Sequence, residues 1–143
     1  MPDSLAREIA ELTFEHVVLV AVALSAAALI GIPTGIWLTR KEAWRGVVLG
    51  FTNVVQTIPS LALFGFLIPL PFIGGIGKRT AIVALVLYAL LPILRNTLTG
   101  ILGVDPAVVE SATAMGMTGG QRLFRVELPL AAPTIFAGGR IAA

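Results

Sequence analysis

Residues 105–133 read D-P-A-V-V-E-S-A-T-A-M-G-M-T-G-G-Q-R-L-F-R-V-E-L-P-L-A-A-P, and they decide how the rest of the chain is understood. This is a polar-punctuated interval between long apolar segments, and its local chemistry predicts two short helices with a turn between them. Asp105 before Pro106 is a helix start, because an Asp side chain accepts from free N–H groups and Pro suits the first helical position. Gly116 stops that helix, since it tolerates the left-handed backbone that a C-terminal turn often needs. Thr118 with Gln121 fits the S/T-x-x-E/Q capping box and opens a second short helix. Leu128-Pro129 is expected to break the pattern, because Pro disfavours helix at the residue before it. Val108, Val109, Ala112 and Met115 fall on one side of the first helix. A hairpin with an apolar stripe and little core of its own is suited to docking into another surface.

Outward from this interval the chain is apolar. Of its 143 residues 57% are hydrophobic and only 13% charged, against about 25% charged in ordinary globular proteins. The mean hydropathy of +0.94 agrees. These values imply an all-α, polytopic membrane helix bundle. The net charge of +2 is too small to argue for nucleic acid, and the basic residues read better as topology marks. Cysteine is absent, which excludes a disulfide frame, a thiolate metal site and a Cys nucleophile. The single His16 cannot build a histidine metal cluster and reads as an interfacial residue.

In chain order, residues 1–16 set Asp3, Arg7, Glu8, Glu11 and Glu15 among Leu5, Ile9, Leu12 and Phe14. That spacing predicts a short amphipathic helix at a membrane surface, and its acidic start does not fit a signal peptide. Residues 17–38 form an uncharged run long enough to cross a ~30 Å hydrocarbon core. Pro33 lies within it, which a membrane helix tolerates when neighbours satisfy the freed carbonyl. Gly31 and Gly35 form a G-x-x-x-G usable for close helix packing, a spacing that chance also produces in a glycine-rich apolar sequence. Arg40, Lys41 and Arg45 with Trp44 then mark the cytoplasmic side, which puts the N-terminus outside.

A second span is expected over about 46–70. Its middle, N-V-V-Q-T-I-P-S at 53–60, is too polar for a lipid-facing helix. Asn53 and Gln56 need partners or a water-filled cavity at that depth, and Pro59 would kink or break the helix. Asn53, Gln56, Thr57, Pro59, Ser60 and, on the next span, Tyr88 are therefore read as lining a pathway; polar contacts between spans are the other reading. Pro69, Pro71, Gly74, Gly75 and Gly77 make a loop. The third span runs over about 80–100 through Pro92, with Arg95 and Asn96 at the cytoplasmic interface and helix continuing toward Leu102. Residues 105–128 then fall inside the cell. Arg40, Lys41, Arg45, Arg95, Arg122 and Arg125 lie inside in this topology, against Arg7, Lys78 and Arg79 outside.

A fourth apolar segment covers about 129–143. From Ala131 onward it gives only roughly 20 Å of helix, and Arg140 would sit at depth, where an arginine costs about 2.5–3.5 kcal/mol on insertion scales. The sequence is therefore expected to be cut off within a span, with one or two C-terminal helices missing.

Residues 105–129 also carry a resemblance. Glu110-Ser111-Ala112, then three residues, Gly116, nine residues, and Val126-Glu127-Leu128-Pro129 resemble the E-A-A…G…I-x-L-P loop of bacterial ABC importer permeases, with every spacing intact. Ser111 replaces the first Ala of that pattern and Val126 its Ile. The resemblance implies that Glu110, Ser111, Ala112, Met115, Gly116, Val126, Leu128 and Pro129 belong to coupling helices that sit in a groove on an ATPase subunit. N-V-V-Q-T-I-P-S-L-A-L at 53–63 and L-Y-A-L-L-P-I-L-R-N-T at 87–97 resemble a narrower group, the permeases of importers for glycine betaine, carnitine, choline and related quaternary ammonium osmoprotectants.

That resemblance implies a type I ABC importer permease fold in a bacterial cytoplasmic membrane. It also implies a second permease copy, two cytoplasmic ABC ATPase subunits and an extracytoplasmic substrate-binding protein or domain. Tight recognition of the cation, in an aromatic cage, would belong to the binding protein. No P-loop motif occurs, and Gly116-Met117-Thr118-Gly119-Gly120 lacks its Lys. No nucleophile sits with a base and no cofactor motif is present, so the reading is of a transport subunit without a catalytic or metal site. Two readings from other classes, a channel working without ATP and an intramembrane enzyme, fit the 105–129 loop and the scattered acids less well. Within the importer reading, an amino-acid permease with the same loop is the alternative.

Overall fold

The structure, a computed structural model, describes residues 2–71, 73 and 75–142, with the side chains of residues 2–4 excepted. Gly74 of the expected loop and the Asp3 side chain thus lie outside the described residues. Every element among the described residues is helical, the arrangement by which an apolar chain satisfies its own backbone in lipid.

Helix α1 runs from Pro2 to Arg40 without interruption. The boundary expected between a surface helix over 1–16 and a span over 17–38 does not occur. No Gly or Pro stands between residues 3 and 30 to stop the helix, so the amphipathic and apolar segments join into one rod about 58 Å long.

The second apolar segment is not straight. Helix α2, Glu42–Thr57, and helix α3, Ser60–Leu67, meet at a bend of 100°. Pro59 has no N–H to continue the ladder, and its ring pushes Ile58 out of the helical region to φ −75, ψ 124. What composition suggested as one span is a broken pair. Helix α4, Lys78–Leu102, matches the third expected span and carries Pro92 inside it. By length and composition, α1 and α4 can each cross a membrane, and the α2–α3 pair can supply a third crossing.

Helix α4 lies between α1 and α7, the helix Leu128–Ala142. Glycine sets how near they come. A Cβ on Gly35 would stand 2.8 Å from the Thr97 side chain, and one on Gly31 3.0 Å from Ile93. On the other side, a Cβ on Gly138 would stand 2.7 Å from Asn96 Cβ and 2.8 Å from the Pro92 carbonyl. The G-x-x-x-G of α1 is therefore a contact surface, and close backbone approach takes the place that large side chains hold in soluble cores. Around it Ala27, Ala89 and Ile93 form one buried cluster, and Leu38, Leu94 and Leu98 another. Leu63 and Leu67 of α3 pack on Ala84 of α4, which holds the bent pair against the bundle.

Between α4 and α7 stand two short helices, α5, Pro106–Ala114, and α6, Gly119–Arg122. The expected break at Leu128-Pro129 is absent, and helical backbone continues from α6 into α7. A π turn over Leu123–Glu127 makes this possible, with the Leu128 N–H donating to the Leu123 carbonyl five residues back. Pro129 cannot donate to the Arg125 carbonyl and its ring crowds that carbonyl. The widened turn gives the ring room at the entry to α7, where a proline's missing N–H matters least.

Candidate coupling loop and polar pathway

The loop at 105–128 builds its shape from bonds between near neighbours. Asp105 Oδ1 accepts from the Ala107 N–H at 2.9 Å and starts α5. At the other end Gly116 adopts φ 81, and its N–H donates to the Thr113 carbonyl at 3.0 Å while Met117 N–H donates to the Ala112 carbonyl at 3.2 Å. This crossed pair is a Schellman closure, for which a residue at positive φ is required. The Thr118 N–H then donates to Gln121 Oε1 at 2.9 Å, and the Gln121 N–H donates to Thr118 Oγ1 at 3.4 Å, which completes a capping box.

The apolar stripe of α5 is divided between two surroundings. Ala112 is buried within the chain and Val109 half-buried, while Val108 and Met115 are exposed, Met115 at 72%. Phe124 in the π turn joins them at 70% exposed. Glu110, Ser111 and Gly116 also face outward, Val126 and Leu128 are half-buried, and Pro129 is exposed. Ser111 Oγ donates back to the Ala107 carbonyl at 2.7 Å, so the hydroxyl that replaces a methyl here is satisfied inside its own helix. Sequence reading missed Phe124, since a lone aromatic in a helical segment carries no signal of the side it faces.

It also missed Glu127. This carboxylate is only 4% exposed. Its Oε2 accepts from Arg40 Nη2 at 2.7 Å and its Oε1 from Arg122 Nε at 2.8 Å. Arg122 Nη1 in turn donates to Thr113 Oγ1 at 3.2 Å. A buried carboxylate is tolerable only when paired and hydrogen-bonded, and here two guanidiniums hold one oxygen each. The network joins the end of α1, α5, α6 and the π turn. Glu127 occupies the unspecified position of V-x-L-P, so its spacing alone gave no hint of a role.

The polar groups read as pathway-lining divide similarly. Tyr88 Oη donates to the Ile58 carbonyl at the α2–α3 break, and Gln56 Nε2 donates to the Tyr88 carbonyl at 2.9 Å. Asn53 Oδ1 accepts from Arg95 Nη2 at 3.2 Å. Gln56, Tyr88, Arg95 and Asn96 border a cleft of ≈ 420 Å³, with Leu91 and Ile141 in its apolar lining. Thr57 instead turns back to the Val54 carbonyl of its own helix at 2.7 Å, and Pro59 and Ser60 are exposed at the break. Among the described residues no group of three or more His, Cys, Asp or Glu side chains could hold a metal ion.

The sequence that builds two apolar helices, a bent pair and a capped loop is similar to that of known proteins. Residues 31–143 match the family described as binding-protein-dependent transport system inner membrane component. The chain is 48% identical over 128 residues to the choline transport system permease protein OpuBB of Bacillus subtilis, covering 90% of this chain and 58% of that protein. The glycine betaine/carnitine/choline transport system permease protein OpuCB of the same organism gives the same figures. The osmoprotectant import permease protein OsmW of Salmonella typhimurium is 47% identical over 136 residues, 94% of this chain and 63% of that protein. The chain thus spans about three fifths of the length of these relatives. With an all-helical membrane architecture and a family match over most of its length, the chain belongs to the binding-protein-dependent transport system inner membrane components.

Proposed function

We propose that this chain is the membrane-spanning permease part of an ATP-driven importer for quaternary ammonium osmoprotectants such as glycine betaine, carnitine or choline. The observation that carries the reading is the capped 105–128 hairpin, which turns Val108, Met115 and Phe124 outward beside Glu110. An exposed apolar face on a stiff, self-closed hairpin needs a groove to cover it. The names of the relatives support the substrate class, since each is a permease for choline or a related osmoprotectant.

In this reading the partners are cytoplasmic ABC ATPase subunits, an extracytoplasmic substrate-binding protein or domain, and a second copy of the permease. The site is a bacterial cytoplasmic membrane, with the N-terminus outside. ATP binding draws the ATPase subunits together, the hairpin moves with its groove, and α4 and α7 carry the movement into the bilayer. Glu110, Ser111, Met115 and Gly116 form the docked edge. Ala112, Val126 and Leu128, buried or half-buried, hold that edge to the bundle, and Pro129 follows at the entry to α7. Asn53, Gln56, Thr57, Pro59, Ser60 and Tyr88 border the route of the solute. Nucleotide hydrolysis belongs to the partner subunit.

The test is uptake of labelled choline and glycine betaine by cells carrying the permease with its transport partners. Glu110→Lys, which reverses the charge on the docked edge, and Gly116→Pro, which cannot reach φ 81, are each expected to abolish uptake while the protein still inserts. Normal ATP-driven uptake in both variants would sink the coupling assignment. Uptake of amino acids in place of osmoprotectants would replace the substrate class and leave the coupling assignment standing.

A further inference from the structure

Glu127 is the one strongly buried charge in the network described above, and its two partners differ. Arg122 is five residues away on the same helical stretch, and its side chain is only 22% exposed. Arg40 comes from the end of α1, 87 positions away in sequence, and its side chain is 44% exposed. The Arg122 contact is local and travels with the loop. The Arg40 contact crosses between elements, so any displacement of the loop relative to α1 must load or break it.

We propose that the Arg40–Glu127 ion pair is a mechanical link through which the loop acts on α1, in addition to the two helices it joins by chain connection. Arg40 and Glu127 are positioning residues; neither touches solute or nucleotide. The proposal rests on the importer reading above and extends it to a helix that the loop does not adjoin in sequence. Three observations carry it. The carboxylate is almost fully withdrawn from solvent, so it cannot exchange Arg40 for water without cost. Each oxygen has its own guanidinium, so loss of Arg40 leaves one oxygen without its partner while Arg122 keeps the carboxylate in place. The bond also lies at the π turn, where the backbone between α6 and α7 is widened, and such turns are frequent at functional sites. Thr39, Arg40, Glu110, Arg122 and Glu127 border one cleft of ≈ 300 Å³, which places the docked edge and the link side by side.

The test reads uptake and ATP hydrolysis together in the complete transporter. Arg40→Gln is expected to lower solute moved per ATP hydrolysed about tenfold, equivalent to ~1.4 kcal/mol of coupling, read well below a melting temperature that the lost pair also lowers. Arg40→Lys keeps a charge and recovers part of that loss. Arg122→Gln, which leaves the contact to α1 in place, lowers the melting temperature with solute per ATP retained. The chain has no cysteine, so an Arg40→Cys, Glu127→Cys pair can be bridged with a short thiol cross-linker without background. If the ion pair is a mechanical link, bridging restores uptake to the double variant. Unchanged solute per ATP in Arg40→Gln overturns the link, as does an equal fall of solute per ATP in Arg122→Gln. Absence of ATP-dependent uptake in the unmodified protein overturns the importer reading itself, an outcome separable from the others because it precedes any substitution.

Discussion

The hairpin at 105–128 and the break at 57–60 both interrupt apolar helices, yet they are held by different kinds of bond. In the hairpin, Asp105 bonds Ala107, Gly116 bonds Thr113, Met117 bonds Ala112, and Thr118 and Gln121 bond each other. None of these spans more than five residues. At the break, the Ile58 carbonyl freed by Pro59 is met by Tyr88, 30 residues away, and Gln56 reaches the backbone of the same Tyr88. One region closes its helix ends within itself and is tied to α1 through Arg40–Glu127, whereas the other borrows its shape from α4. A region that docks on a moving partner gains from the first arrangement, because it keeps its form while its surroundings change. A region inside a bundle can rely on the second, because its neighbours are always there.

Three substitutions can break or sharpen this contrast. The largest effect is expected from Tyr88→Phe, which leaves the half-buried Ile58 carbonyl without its donor and costs roughly 1–3 kcal/mol. Thermal unfolding in detergent should show it, together with faster hydrogen exchange in α3 and none at 105–122. Equal loosening of both regions would mean that the hairpin, too, leans on α4. Next is Gly116→Ala, which places a Cβ on backbone at φ 81 for a cost of about 1–2 kcal/mol. Its exchange changes should be confined to the end of α5, and a spread into α3 would contradict the self-closed description. The smallest is Thr118→Ala, which removes half of the capping box for about 1 kcal/mol. Thr118→Ser should recover most of that, measured by the same unfolding curve.

The same contrast explains what could be read from the sequence. Asp105-Pro106, Gly116 and Thr118-x-x-Gln121 announce their helix ends because caps are local chemistry, and each is present in the structure. The two long helices, α1 and α4, follow from apolar length. The 100° bend was visible only as a kink or break at Pro59, since a proline states that the ladder fails without stating where the chain goes next. Leu128-Pro129 misled for a related reason: a π turn ahead of a proline lets the helix continue, and no residue pattern in L-F-R-V-E signals one. In the loop, sequence placed the E-S-A and G positions but not the Arg40–Glu127–Arg122 network, because a contact spanning 87 residues leaves no spacing to recognise. Nor could it divide the α5 stripe into Ala112, facing inward, and Met115, facing outward. Helical periodicity gives a side, and only packing tells which part of that side is already covered.

The unbroken length of α1 has a consequence for amplitude. Between residues 3 and 30 it contains no Gly or Pro at which to bend, so this stretch rotates as a stiff bar. A tilt of about 5° of this stretch, about 42 Å long and pivoting where Gly31, Pro33 and Gly35 follow it, displaces its far end by about 4 Å. Glu15, ion-paired to Lys78 at the start of α4 at 2.7 Å, lies on the far arm of that bar. A small rotation near the loop is therefore felt as a large sweep on the opposite side, and the Glu15–Lys78 pair is the contact that must stretch or travel with it.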